Sequence, residues 1–136
     1  MEKKTFDYYM FRIIEAGREQ IASRHIIVNP ENSRAERVME RERRQHYADV
    51  ADEILDELCN CVGRDRLEEE DYDLIEAYVQ SIWHCEGRKA RMNRALLDTD
   101  NELIVEEVGR IRKATEEEEQ QYIKEIFNLL DLRGGK

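Results

Sequence analysis

The sequence predicts an all-α protein: a helical bundle of about five helices around a long antiparallel hairpin formed by helices two and three. Three observations predict it. Apolar residues recur at helical spacing, with no strand-like alternation. A single proline among 136 residues argues against a turn-rich β sandwich and a disordered linker. Ser, Thr or Asp followed three residues later by Glu recurs ahead of apolar runs, as helix starts do. No repeat or boundary divides the chain, so residues 1–136 read as one domain.

The first helix is expected over about Thr5–Arg24, where Phe6, Met10, Ile13, Ile14, Gly17 and Ile21 share a face. The short β-branched run His25-Ile26-Ile27-Val28 reads as a loop tucked into the core. Asn29-Pro30 marks a start, with a capping box at Ser33–Glu36, so helix two runs from Pro30 or Ser33 to Val62, where Gly63 ends it. Its apolar stripe is Tyr47, Val50, Ala51, Ile54, Leu55, Leu58 and Val62, all in the second half. The half between Glu31 and Gln45 is poor in apolar residues and is expected to be solvated or covered from outside the chain.

Asp65 and Glu68 have the spacing of a cap and third residue for helix three, which carries Tyr72, Ile75, Tyr78, Val79, Ile82 and Trp83 and either bends at Gly87 or continues to Leu97. Thr99–Glu102 opens a fourth helix and Thr115–Glu118 a fifth, with Tyr122, Ile123, Ile126, Phe127 and Leu130. Residues 133–136 read as a frayed tail.

Hydrophobic residues make up 40% of the chain, enough for a modest core, and the net charge is −10. That charge disfavours nonspecific coating of nucleic acid. It is also unevenly placed. Residues 49–87 hold 13 acidic and 2 basic side chains, a net −11, while residues 1–48 and 88–114 are each +2. Folded as a hairpin, helices two and three form a rod with a negative turn end and a positive open end, Arg41 beside Arg88 and Arg37 beside Arg91 or Met92.

The acidic cluster comprises Asp49, Asp52, Glu53, Asp56 and Glu57 on helix two, and Glu69, Asp73 and Glu76 on helix three. Paired carboxylates at such spacing hold Mg²⁺ in all-α nucleotide pyrophosphohydrolases. Here the helix-two acids centre about 150° from the Tyr47–Leu58 stripe at 100° per residue, so they point outward, and an internal metal centre needs them inward. No metal or other cofactor is expected. The remaining readings are a solvated face and an acidic surface that takes a partner.

Arg34, Arg37, Arg41 and Arg44 recur at helical spacing, with Arg88, Lys89, Arg91 and Arg94 expected alongside. Such a patch contacts phosphates or acidic groups, or is neutralised by Glu36, Glu40 and Glu42 or by docking of Glu116–Glu119. Cys59-Asn60-Cys61 sets its thiols about 200° apart on a helix, unsuited to one zinc ion, and with Cys85 reads as packing. His84 reads as a packing or surface histidine. Tyr8 and Phe11 fall off the core face of helix one and are candidate anchors for a partner or a homodimer.

No run of apolar residues is long enough to span a membrane, and an odd cysteine count fits a reducing compartment, so a cytoplasmic protein is expected. Three function classes follow. The first is a non-enzymatic acidic interaction protein that binds a basic, nucleic-acid-binding protein, in its sharpest form an inhibitor of the phage or mobile-element kind that blocks a channel such as a nuclease's. The second is a carboxylate-metal enzyme of the nucleotide pyrophosphohydrolase type; the third is a nucleic-acid-binding adaptor that uses the arginine patch. Outward charge and the lack of a convergent catalytic set place the first ahead.

Overall fold

Four α-helices and one 3-10 turn make up the described residues, 1–134, of the computed structural model. In chain order they are α1 (Lys3–Val28), α2 (Arg34–Val62), the turn Arg64–Arg66, α3 (Glu69–Leu97) and α4 (Glu102–Gly134). No strand occurs among these residues, so the all-α class stands.

The helix count is four rather than five because α4 runs unbroken through Thr115. The Thr115 hydroxyl donates back to the carbonyl oxygen of Ile111 at 2.9 Å, a bond made inside a helix, and the residue is buried. The capping box expected there is therefore a mid-helix threonine followed by acids. At the start of α4, Asn101 rather than Thr99 acts as the cap. Its Oδ1 accepts from the backbone N–H of Leu103 at 3.0 Å, while Thr99 Oγ1 accepts from Asn101 N–H at 3.2 Å.

Helix α1 also runs further than expected. His25–Val28 is its last turn rather than a tucked loop, with Val28 64% exposed. β-branched residues cost a helix only a few tenths of a kcal/mol each, about 0.5, so they do not stop it. Asn29-Pro30 does: the residue before proline is driven to extended backbone, and Asn29 sits at φ −78°, ψ 116°. Ser33 then caps α2, its hydroxyl accepting from Glu36 N–H at 3.1 Å. Asp65 lies in the 3-10 turn and α3 begins at Glu69, so Asp65 is not that helix's cap. Helix α3 is continuous through Gly87. Of the expected frayed tail, Arg133 and Gly134 are helical, and residues 135–136 lie outside the described residues.

The chain divides into two compact units, one of Met1–Glu68 with the end of the chain from Leu130, the other of Glu69–Leu129. In the first unit α1 packs along α2. The pairs Arg12–Glu57 and Arg43–Glu19 set the direction: contacts move up α1 as they move down α2, so the two are antiparallel. Phe6, Met10, Ile13 and Ala16 on α1 and Ala51, Ile54, Leu55 and Leu58 on α2 are buried. Gly63, at φ 107°, ends α2 in a region that side-chain-bearing residues rarely adopt. Gly134 closes the unit: a Cβ there would meet Val62 at 3.2 Å, and its carbonyl oxygen accepts from Arg66 Nη1 at 2.9 Å.

In the second unit α3 and α4 are antiparallel by the same test, with Arg88–Glu118 followed by Asn93–Arg112. Ile75, Val79, Ile82 and Ile126 are buried. The expected hairpin of helices two and three would join the two units rather than lie within either.

Candidate interaction surface

Helix α2 separates its chemistry by face. At 100° per residue, the buried Ile54, Leu55, Leu58 and Val62 occupy one side and Asp49, Asp52, Glu53 and Asp56 the other. Asp49, Asp52, Glu53, Asp56 and Glu57 are all exposed. Glu57 is turned toward α1, where it pairs with Arg12 at 3.8 Å, and Asp49 accepts from Gln45 Nε2 at 2.9 Å. The side chains of Asp52, Glu53 and Asp56 make no hydrogen bond or ion pair among the described residues. On α3, Glu69, Asp73 and Glu76 are likewise exposed and without a side-chain partner there. Asp49, Asp52, Glu53 and Asp56 thus share one face of α2, with Glu57 set apart toward α1, and Glu69, Asp73 and Glu76 share a face of α3.

The first half of α2 carries the opposite charge. Arg34, Arg41 and Arg44 are exposed and Arg37 half-buried, and none of the four makes a side-chain hydrogen bond or ion pair among the described residues. The interleaved Glu40 pairs with Arg43 at 4.0 Å instead, and Arg43 reaches Glu19 of α1 at 2.9 Å. Val38 and Met39 are exposed at 41% and 69%, so this half buries little. Arg91 on α3 is exposed, whereas Arg88 is engaged: its Nη2 lies 3.0 Å from Glu118 and 3.2 Å from the Cys85 sulfur.

The docking of Glu116–Glu119 onto basic residues takes place on α3. Lys89 Nζ lies 2.6 Å from Glu86, 2.5 Å from Glu116 and 2.5 Å from Glu119. Three carboxylates thus converge on one ammonium. Burial opposes the charge on Lys89, but the hydrogen bonds it donates to Glu116, Glu119 and Glu86 outweigh that and hold its pKa above the ordinary lysine value. The Glu116 carboxyl is lowered by its bond to Lys89. Burial pushes the Glu119 carboxyl up to about 7, Glu86 adding to the rise and Lys89 opposing it. Reading the charged residues by local runs misses this cluster. Its signal is the apolar stripe itself: Glu86 and Lys89 continue the 75-79-82 series on α3, and Glu119 lies within the 115-122-126 series on α4.

The remaining candidates are quickly placed. Cys59 and Cys85 are buried and Cys61 exposed, all as free thiols. Burial raises the Cys85 pKa. His84 is exposed. Tyr8 is 56% exposed, edge-on to Tyr9 with Arg12 over its ring, and Phe11 is 61% exposed. Among the described residues no group of three or more His, Cys, Asp or Glu side chains is arranged to hold a metal ion, and no helix is long and apolar enough to cross a membrane.

A scan against protein-family models finds no match, and neither the curated proteins nor the solved structures yield one.

Proposed function

We propose that this protein is a non-enzymatic helical interaction protein whose acidic face docks on the basic surface of a nucleic-acid-binding protein. In the sharpest form of this reading it occupies a nucleic-acid channel, such as a nuclease's, and excludes the nucleic acid. One observation carries the reading: Asp49, Asp52, Glu53 and Asp56 stand on one exposed face of α2, and none of them is ion-paired among the described residues. Carboxylates held on a rigid helix offer a basic groove a ready row of anions, and complementary fields speed encounter and fix register. Leaving so many like charges unpaired on one face also costs the folded state some self-repulsion, which a basic partner relieves.

The experiment is competition. Nucleases and polymerases with basic channels are mixed with labelled single-stranded DNA, and the protein is titrated in at low and high salt. Displacement of the DNA at low salt that weakens steeply as salt rises supports the reading. DNA that stays bound to every such enzyme at low salt overturns the channel-blocking form.

A further inference from the structure

Helix α2 carries charges of both signs, none of them ion-paired among the described residues, on one continuous strip. Arg34, Val38, Arg41, Gln45, Asp49, Asp52 and Asp56 recur every three or four residues, and all are exposed. The strip is about 33 Å long at 1.5 Å per residue, positive at its start and negative at its end. It lies about 140° around the helix from Arg43 and Glu57, the side chains that reach α1. The packing of α1 on α2 therefore leaves it open.

We infer that the strip pairs with the same strip of a second copy, the two α2 helices running antiparallel about a two-fold axis at Gln45. That operation places Arg41 opposite Asp49 of the second copy and Arg34 opposite its Asp56, and by symmetry forms each pair twice. Gln45 meets its own counterpart on the axis. The parallel arrangement instead sets arginine on arginine and aspartate on aspartate. Charge complementarity thus selects both the occupant and its direction. The strip holds one apolar side chain, Val38, so the association is electrostatic, weak and salt-dependent. This rests on the reading of the acidic face as a contact surface and names one basic surface that fits it. Self-association then covers Asp49, Asp52 and Asp56 until a more basic partner displaces the second copy.

The test is sedimentation of the full chain across a concentration series at low and high salt, with Arg41→Asp, Asp49→Arg and the double variant. The expected result is self-association at low salt that is lost at high salt. Each single reversal weakens it about tenfold, by turning two exposed pairs repulsive, and the double reversal restores it. All four positions in the two pairs are exposed, so helical content read by circular dichroism stays unchanged. A monomer at every concentration, or a double variant no better than the singles, overturns the inference. So does a monomer whose Arg34 and Arg41 are needed to shift a single-stranded oligonucleotide, which assigns the arginines to phosphates. Absent self-association with intact binding of an arginine-rich peptide defeats this inference alone; loss of both defeats the reading beneath it.

Discussion

Lys89 Nζ lies 2.5 Å from a carboxylate oxygen of Glu119, and the two side chains are 10% and 2% exposed. Glu86 and Glu116 approach the same ammonium, so the site holds three carboxylates and one cation. One proton on the Glu86–Glu119 pair relieves the excess of negative charge, and this makes the second unit sensitive to pH.

The sign follows from the shift. A carboxyl raised from the ordinary range to about 7 binds its proton more tightly in the folded chain than in the unfolded one. Its contribution to stability is complete below the unfolded value, about 4.3, and is lost as pH rises through 7. Urea unfolding should therefore show stability falling by about 1–3 kcal/mol between mildly acidic pH and pH 8. Repulsion within the acidic faces acts in the same direction, so the comparison that isolates the site is with Glu119→Gln. That variant keeps the neutral shape and should show a flatter profile.

Removing the cation is more severe. Lys89→Met leaves the buried Glu86 and Glu119 without their cation, with the part-exposed Glu116 at their edge, a loss of about 3–5 kcal/mol at neutral pH. Acid should restore much of it by protonating the carboxyls. Chemical denaturation at pH 5 and 8 measures both effects.

The end of α2 depends on backbone freedom. Gly63→Ala places a methyl group on a residue at φ 107°, with Asp65 Oδ1 3.2 Å from the new Cβ. A loss of about 1–3 kcal/mol is expected, read as a lower melting temperature with helical content kept.

The start of α2 depends on one hydroxyl. Ser33→Ala removes the acceptor for Glu36 N–H and should cost about 1 kcal/mol. Hydrogen exchange should quicken at the amides of the first turn and leave those near Leu58 unchanged.

Local patterning made most of the helices legible and left the charge pairing hidden. The Ser33 cap and the Gly63 terminator each rest on a few adjacent residues and act where the sequence places them, whereas Asn29-Pro30, read as a start, instead stops α1 four residues beyond its expected end. Thr115 misleads because a threonine followed by three glutamates has the same local signature inside a helix as at its start. Only the bond back to Ile111 separates the two. The Lys89 cluster joins Glu86 and Lys89 of α3 to glutamates of α4 27 or more positions away, so runs of charge along the chain do not reveal it. Exposure of the acidic residues on α2 followed from helix geometry alone, because apolar and acidic residues there keep to opposite sides. What such a face contacts is a property of its partner, and no spacing within this chain encodes it.

The most direct test of the acidic face as a docking surface is titration of the full chain with a synthetic arginine-rich peptide over a salt series. The comparison is a variant carrying Asp49→Asn, Asp52→Asn, Glu53→Gln and Asp56→Asn. The proposed function predicts binding at low salt that falls steeply as salt rises, and a variant that binds at least about tenfold more weakly with a shallower salt dependence. Equal binding by the variant and the unaltered chain would contradict it.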